Sequence, residues 1–312
     1  MKLSLKHIYI CSLIGLGAST LASCNDFLDR EPITNVTPEA YFTTVDPVGA
    51  YVINYYSYLQ NSRQQSLYHD KNWRSGMTLN DNNTDNLFSQ TGDLDYFAGE
   101  KQVPSGKNFQ TYTSRARVWN WLLEQILPKE EAGSIQGDKS ILSHYIGEAY
   151  FFRALAYYQA LVRYGDFPII DEVLPDDQAI LKELSQRAPR NEVARFILKD
   201  LDTAISRLKD QGFQNNQRIN KQTAQLLKSR VALFEATFEK YHKGTGRVPG
   251  DDTWPGKDME YNQGKTFDIA GEINFFLTEA MSAAKAVADH CTLTGNSHQM
   301  NPVLGQTSGW NP

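Results

Sequence analysis

Cysteine is nearly absent from this chain, with three in 312 residues. Cys11 and Cys24 both lie near the start, so Cys291 stands alone downstream. A single thiol cannot close a bridge, which excludes a disulfide framework and leaves stability to packing. Long hydrophobic runs are equally scarce. The apolar run from Ile8 to about Ala18 falls short of the roughly 20 residues that a transmembrane helix needs, and no later segment comes close. Basic residues are outnumbered, 31 against 36 acidic for a formal charge of −5, and form no cluster. That balance argues against nucleic acid as a partner and against electrostatic docking on anionic lipid. Catalytic signatures are missing as well: there is no G-x-S-x-G, H-E-x-x-H, C-x-x-C or P-loop,. The six histidines are scattered, and even His290 and His298 match no common metal spacing. Nothing here calls for a cofactor or a resident metal.

The start of the chain, "MKLSLKHIYICSLIGLGAST", places Lys2 and Lys6 before the short apolar run and small residues. This is the layout of a secretory signal peptide, here residues 1–23,. Leu21-Ala22-Ser23-Cys24 resembles the bacterial lipobox, in which the cysteine thiol becomes the lipidated mature terminus. Several acyl chains at about 0.8 kcal/mol per buried CH₂ make such an anchor effectively permanent. Residues 24–38 are polar and Pro-punctuated and read as a lipidated tether, with the folded domain following over 39–312.

Within that domain the dominant signal is helical. Thr37-Pro38 and Asp46-Pro47 each set a capping residue before proline,, and the second opens a helix over 47–59. A helix over 115–127 is expected to end at Pro128,. In the next, over 144–164, apolar residues occupy nearly every face and alanines at 149, 154, 156 and 160 allow close approach, so it is packed on both sides. Val193, Ile197, Leu201, Ala204 and Leu208 form one stripe. Ala224, Leu227, Val231, Phe234, Phe238 and Tyr241 form a second, and Ile273, Leu277, Ala280, Ala284 and Val287 a third. Strand alternation is lacking, and residues 242–265 are too rich in Gly and Pro for an α-helix,. The expected class is all-α: stacked helical pairs forming an α-solenoid-like scaffold with long irregular loops.

Residues 61–110 are rich in Asn, Asp, Ser, Gly and Thr and lose all periodicity; a long structured loop of this kind is more often functional than idle. "DNNTDNLFSQTG" places Asp81, Asn83 and Asp85 as the front half of an EF-hand loop, but Gly92 stands where the bidentate glutamate belongs, so a turn-rich loop is the better reading,. Trp73 sits in this region with no helix stripe to demand it. An aromatic face stacks on a sugar ring while neighbouring amides and carboxylates bond its hydroxyls. Trp73, Asn80, Asp81 and Asp85 are therefore the ligand-binding candidates, with Trp310 behind them, beside the alternative that Trp73 merely plugs the loop. Trp119 and Trp121 are expected in the core, and Trp254 is ambiguous.

Several segments in order resemble the RagB/SusD family of outer-membrane lipoproteins. They are "CNDFLDREP" after the lipobox, "FFRALAYYQALVRYGDFPII" with Arg153, Ala154, Tyr157, Tyr164, Gly165, Asp166 and Pro168, and the lead-in Arg218-Ile219-Asn220 to a later helix. Ala160 stands where the family commonly has leucine. The resemblance implies a tetratricopeptide-like helical fold and a lipid-anchored place on the outer membrane, facing the cell exterior. It also implies partnership with a SusC-like TonB-dependent transporter and binding of a nutrient, usually a glycan, without catalysis. Family members are longer, so the chain reads as the N-terminal part of such a protein, lacking its C-terminal part. Two other readings stay open on the residues alone: a helical scaffold that binds only protein, and a surface glycoside hydrolase using paired carboxylates.

Overall fold

Thr44 begins the main body of the chain; the residues before it form a unit of their own. The computed structural model describes residues 37–59 and 107–292. In the first unit α1 (Pro38–Tyr41) starts as expected, with Thr37 Oγ1 accepting the Ala40 N–H at 3.4 Å and Pro38 in the first turn. Proline is suited to that position because its missing N–H would have no helical partner.

In the main body α2 (Val45–Ile53) has Thr44 and not Asp46 at its N-cap position, with no capping hydrogen bond from the Thr44 side chain. The helix begins early because Val45 N–H is already bound to Gln136 O at 3.0 Å. It is also shorter than expected, giving way to a 3₁₀ turn over Tyr56–Tyr58. Helix α3 (Lys107–Glu131) starts ahead of Arg115 and runs through Pro128. Proline removes one ladder bond and crowds the turn before it, but only one turn follows. Ala132 N–H to Pro128 O and Ser134 N–H to Lys129 O close that turn, at 3.0 and 2.9 Å. Arg207 fastens it to a neighbouring helix through Glu130, at 2.8 and 3.1 Å.

Helix α4 (Lys139–Tyr164) is capped by Asp138, which accepts the Ser140 N–H at 2.7 Å. It packs against α2, α3 and α6 (Arg190–Arg207) together, and the four alanines picked out by sequence are all buried. Gly147 lets α6 come close: a Cβ there would lie 3.1 Å from Arg207 Cβ. Helix α5 (Gln178–Leu184) buries no residue and so writes no apolar stripe into the sequence. Its start is visible only in Asp177, which accepts the N–H groups of Ala179 and Ile180 at 2.8 and 3.0 Å.

The α6 stripe is buried throughout. For α7 (Lys221–His242) the expected stripe is displaced: Leu227, Phe234 and Phe238 are half-buried and Tyr241 is 71% exposed. The face turned inward carries Ala224, Lys228, Val231, Glu235, Ala236 and Glu239. In α8 (Ile269–Ala288), Ala280 and Val287 are buried as expected, Ile273, Leu277 and Ala284 are only half-buried, and Phe276 and Ala283 are buried in addition. The long helices follow one another in space as in sequence, α3 on α4, α4 on α6, α6 on α7 and α7 on α8. Among the described residues there is no strand, only the isolated bridges Thr44 to Gln136 and Phe167 to Ala188.

Gly165 ends α4 with φ 73° and ψ −106°, a conformation that a side chain resists. A Cβ would meet only Arg190 Nη1, at 3.6 Å, so the cost of substitution is conformational. Gly165→Ala is expected to lower stability by about 1–3 kcal/mol, read as a shift in the urea midpoint with an unchanged slope.

Candidate functional site

The residues matched to the family motif act together to fasten the segment between α4 and α6. Arg153 is buried and holds Asp200 on α6 through Nε and Nη2, both at 2.7 Å. Its Nη1 donates to Asn120 Oδ1 at 3.1 Å and to Asp171 O at 3.3 Å. Asn120 on α3 donates in turn to Ile170 O and Glu172 O, at 2.8 and 3.0 Å. Tyr157 OH donates to Ile170 O and accepts from Ile170 N–H, each at 2.8 Å. The backbone of 170–174 is thereby clamped from two helices, with Arg117 donating to Leu174 O at 3.1 Å and Glu124 accepting Val173 N–H at 3.0 Å. Burial drives the Tyr157 phenol far above its usual range and raises the Asp200 carboxyl despite Arg153.

Asp166 reaches two elements. Oδ1 accepts the Arg190 N–H at 2.9 Å, standing in for the side-chain cap that Pro189 cannot offer α6 and setting negative charge at a helix N-terminus. Oδ2 accepts from Trp254 Nε1 at 2.8 Å. Trp254 is 4% exposed and packs edge-on to Phe267, which resolves its ambiguity in favour of the core.

A second network explains Arg218-Ile219-Asn220. Glu148 on α4 is fully buried and receives Arg218 Nη2 at 2.5 Å and Nε at 2.9 Å. Tyr56 OH donates to the same carboxylate and accepts Ile219 N–H at 2.9 Å. His144 Nδ1 accepts Lys209 N–H at 3.0 Å, which leaves the proton on Nε2, 3.2 Å from Glu148,. The Arg218 guanidinium also lies 4.4 Å from the Tyr145 ring centre,. Burial, then Glu148, holds the Tyr56 phenol far above its usual range. Asn220 caps α7 by accepting Thr223 N–H at 2.9 Å.

Two clefts open on these networks. One, of about 470 Å³, is lined by Gln110, Thr113, Arg117, Tyr157, Pro168 and Leu181. The other, of about 390 Å³, is lined by Glu124, Tyr150, Arg153, Asp171, Lys199 and Asp200. Both fall within the size of small-molecule sites. Trp73, Asn80, Asp81, Asp85 and Trp310, like Cys24, lie outside the described residues. The turn Tyr56–Tyr58 and the start of α3 flank the segment that carries Trp73 to Asp85. Trp119 is fully buried, stacked on Phe152 with ring centres 5.0 Å apart, whereas Trp121 is only half-buried, 5.5 Å from the Tyr51 ring. Among the described residues no group of three or more His, Cys, Asp or Glu is arranged to hold a metal ion, and no helix is long and apolar enough to cross a membrane. The carboxyls Glu148, Glu235 and Glu239 are fully buried.

Comparison with known proteins places these features in a family. A SusD-like family model, described as starch-binding and associating with the outer membrane, matches residues 26–233. SusD-like protein P2 of Formosa agariphila is 27% identical over 233 residues, covering 71% of this chain and 42% of that protein. A SusD-like protein from Bacteroides fragilis superposes with a TM-score of 0.50 at 25% identity, over 67% of this chain and 39% of that one. A SusD homolog from Bacteroides thetaiotaomicron gives a TM-score of 0.50 at 18% identity, over 82% and 42%, and so speaks for the fold alone. The chain thus spans about two fifths of the length of these relatives.

Proposed function

The chain belongs to the SusD-like family, and on that footing we propose that it is a lipid-anchored surface protein that captures a nutrient glycan for a SusC-like TonB-dependent transporter. The observation that carries this reading is the family match over residues 26–233, whose description joins starch binding to the outer membrane. The leader and Cys24 supply the anchor: the signal peptide is removed and acyl chains on Cys24 hold the protein at the membrane. Trp73 supplies the stacking face for a sugar ring, and Asn80, Asp81 and Asp85 the hydrogen-bonding groups. The helices act as a scaffold, and the function is binding without turnover.

The test is binding of the full chain to a panel of soluble glycans that includes starch, with Trp73→Ala as comparator. Loss of a stacked aromatic is expected to weaken the best-bound glycan roughly tenfold. Retention of no glycan by either form would overturn the reading in favour of a scaffold for protein partners. New reducing ends in the bound glycan would instead make the protein a hydrolase.

A further inference from the structure

Where α6, α7 and α8 meet, three carboxyl groups share two guanidinium groups. Arg190 on α6 grips Glu235 on α7 through Nε and Nη2, at 2.7 and 2.8 Å. Arg195 on α6 reaches Glu272 on α8 through the same two nitrogens, both at 2.9 Å. Each pair is bidentate, the geometry in which a guanidinium and a carboxylate satisfy one another most fully. Arg190 is further committed to the Phe238 ring, 3.3 Å from its centre, and Arg195 to that of Phe275, at 3.8 Å. The third carboxyl, Glu239, is fully buried one turn beyond Glu235, and neither of its oxygens has a hydrogen-bond partner among the described residues. The groups acting on it are Glu235 from its own helix, Glu272 from α8, and Arg190 and Arg195 from α6.

We propose that Glu239 is a proton-operated catch: it is held as the neutral acid, the form in which α6, α7 and α8 pack together, and its ionisation loosens that packing. Three anions against two cations would leave one uncompensated charge, and Glu239, itself fully buried although Arg195 reaches solvent, meets that condition by keeping its proton. Burial first, then the charges of Glu235 and Glu272, raise the Glu239 pKa from 4.5 to about 8. The sign follows from proton counting. Below pH 4.5 both folded and unfolded chains carry the proton, and the contribution to stability is complete. Between 4.5 and about 8 only the folded chain holds it, so stability falls as pH rises, and it levels off once both states are ionised,. The catch is therefore closed in acidic and neutral surroundings and opens in alkaline ones.

Glu239→Gln keeps the shape and neutrality of the acid while removing its titration. Unfolding of the full chain in urea is measured for both forms from pH 4.5 to 9 at constant ionic strength. Relative to Glu239→Gln, the wild-type unfolding constant is expected to rise roughly tenfold per pH unit up to about pH 8,. Amide protection factors in α7 and α8, corrected for the base-catalysed intrinsic rate, are expected to fall in the wild type relative to Glu239→Gln over the same range. Parallel pH profiles would overturn the proposal. A second measurement needs no variant: carbon-13 NMR of glutamate-labelled wild type should show one carboxyl titrating near 8, and its absence would equally overturn it. Stabilisation of the wild type by added sodium or calcium, lost in Glu239→Gln, would mean that a bound cation takes the place of the proton, and would also overturn it.

Discussion

Arg153→Ala lowers the stability of the chain by about 3–5 kcal/mol, because it leaves Asp200 as a buried charge without a partner. Arg153 and Asp200 are 6% and 2% exposed, so the pair is largely withdrawn from water. The damage extends beyond the pair. Asn120 loses the donor that orients it, and Asn120 is what carries the backbone oxygens of Ile170 and Glu172. The expected result is a large drop in urea midpoint together with faster amide exchange in residues 170–174. The companion double variant Arg153→Met with Asp200→Leu separates the value of the pair from the cost of breaking it. Apolar residues of similar volume recover most of the loss, and the interaction energy is read from the double-mutant cycle. A double variant as unstable as the single one would show that the clamp on 170–174, not the uncompensated charge, dominates.

Glu148→Ala is expected to cost a similar amount, about 3–5 kcal/mol, and to do so at a different place. Here one fully buried carboxylate serves Arg218 and Tyr56, with His144 Nε2 3.2 Å away. Its removal strands the Arg218 cation, whose side chain is 7% exposed, and frees the phenol that ties α2 and its 3₁₀ turn to the lead-in of α7. Hydrogen exchange is expected to rise most in residues 44–59. Glu148→Gln keeps acceptor and shape but not charge, so its loss is expected to be intermediate. Equal losses for the two variants would mean that charge, not packing, is what Glu148 contributes.

Much of the scaffold was legible because long helices write their period into the chain. The α6 stripe from Val193 to Leu208 is buried as a unit, and the alanines of α4 sit where neighbouring helices approach. Helix ends were legible where a short polar side chain does the capping, as at Thr37. They were misread where a distant group decided the matter. Val45 starts α2 because Gln136 supplies an acceptor, and the last turn of α3 continues past Pro128 with Arg207 holding Glu130. Helix α5 was missed because it buries nothing and so has no period to detect. For the ligand site the sequence offered residue types, aromatic and amide together in one loop region, but residue types do not state distances.

What the sequence determined by itself is therefore the helical class, together with the buried stripe of α6 and the buried alanines of α4. What tertiary structure decided is which charged residues go inside. Lys228, Glu235 and Glu239 occupy the buried face of α7, where periodicity had placed Phe234, Phe238 and Tyr241. They are tolerated there for reasons that lie far away in the chain. Lys228 meets Asp202 and Glu279, Glu235 meets Arg190, and Glu239 keeps a proton because the guanidinium groups beside it are already taken. Hydrophobic pattern is local and can be read along the chain, whereas charge compensation depends on residues that meet only after folding.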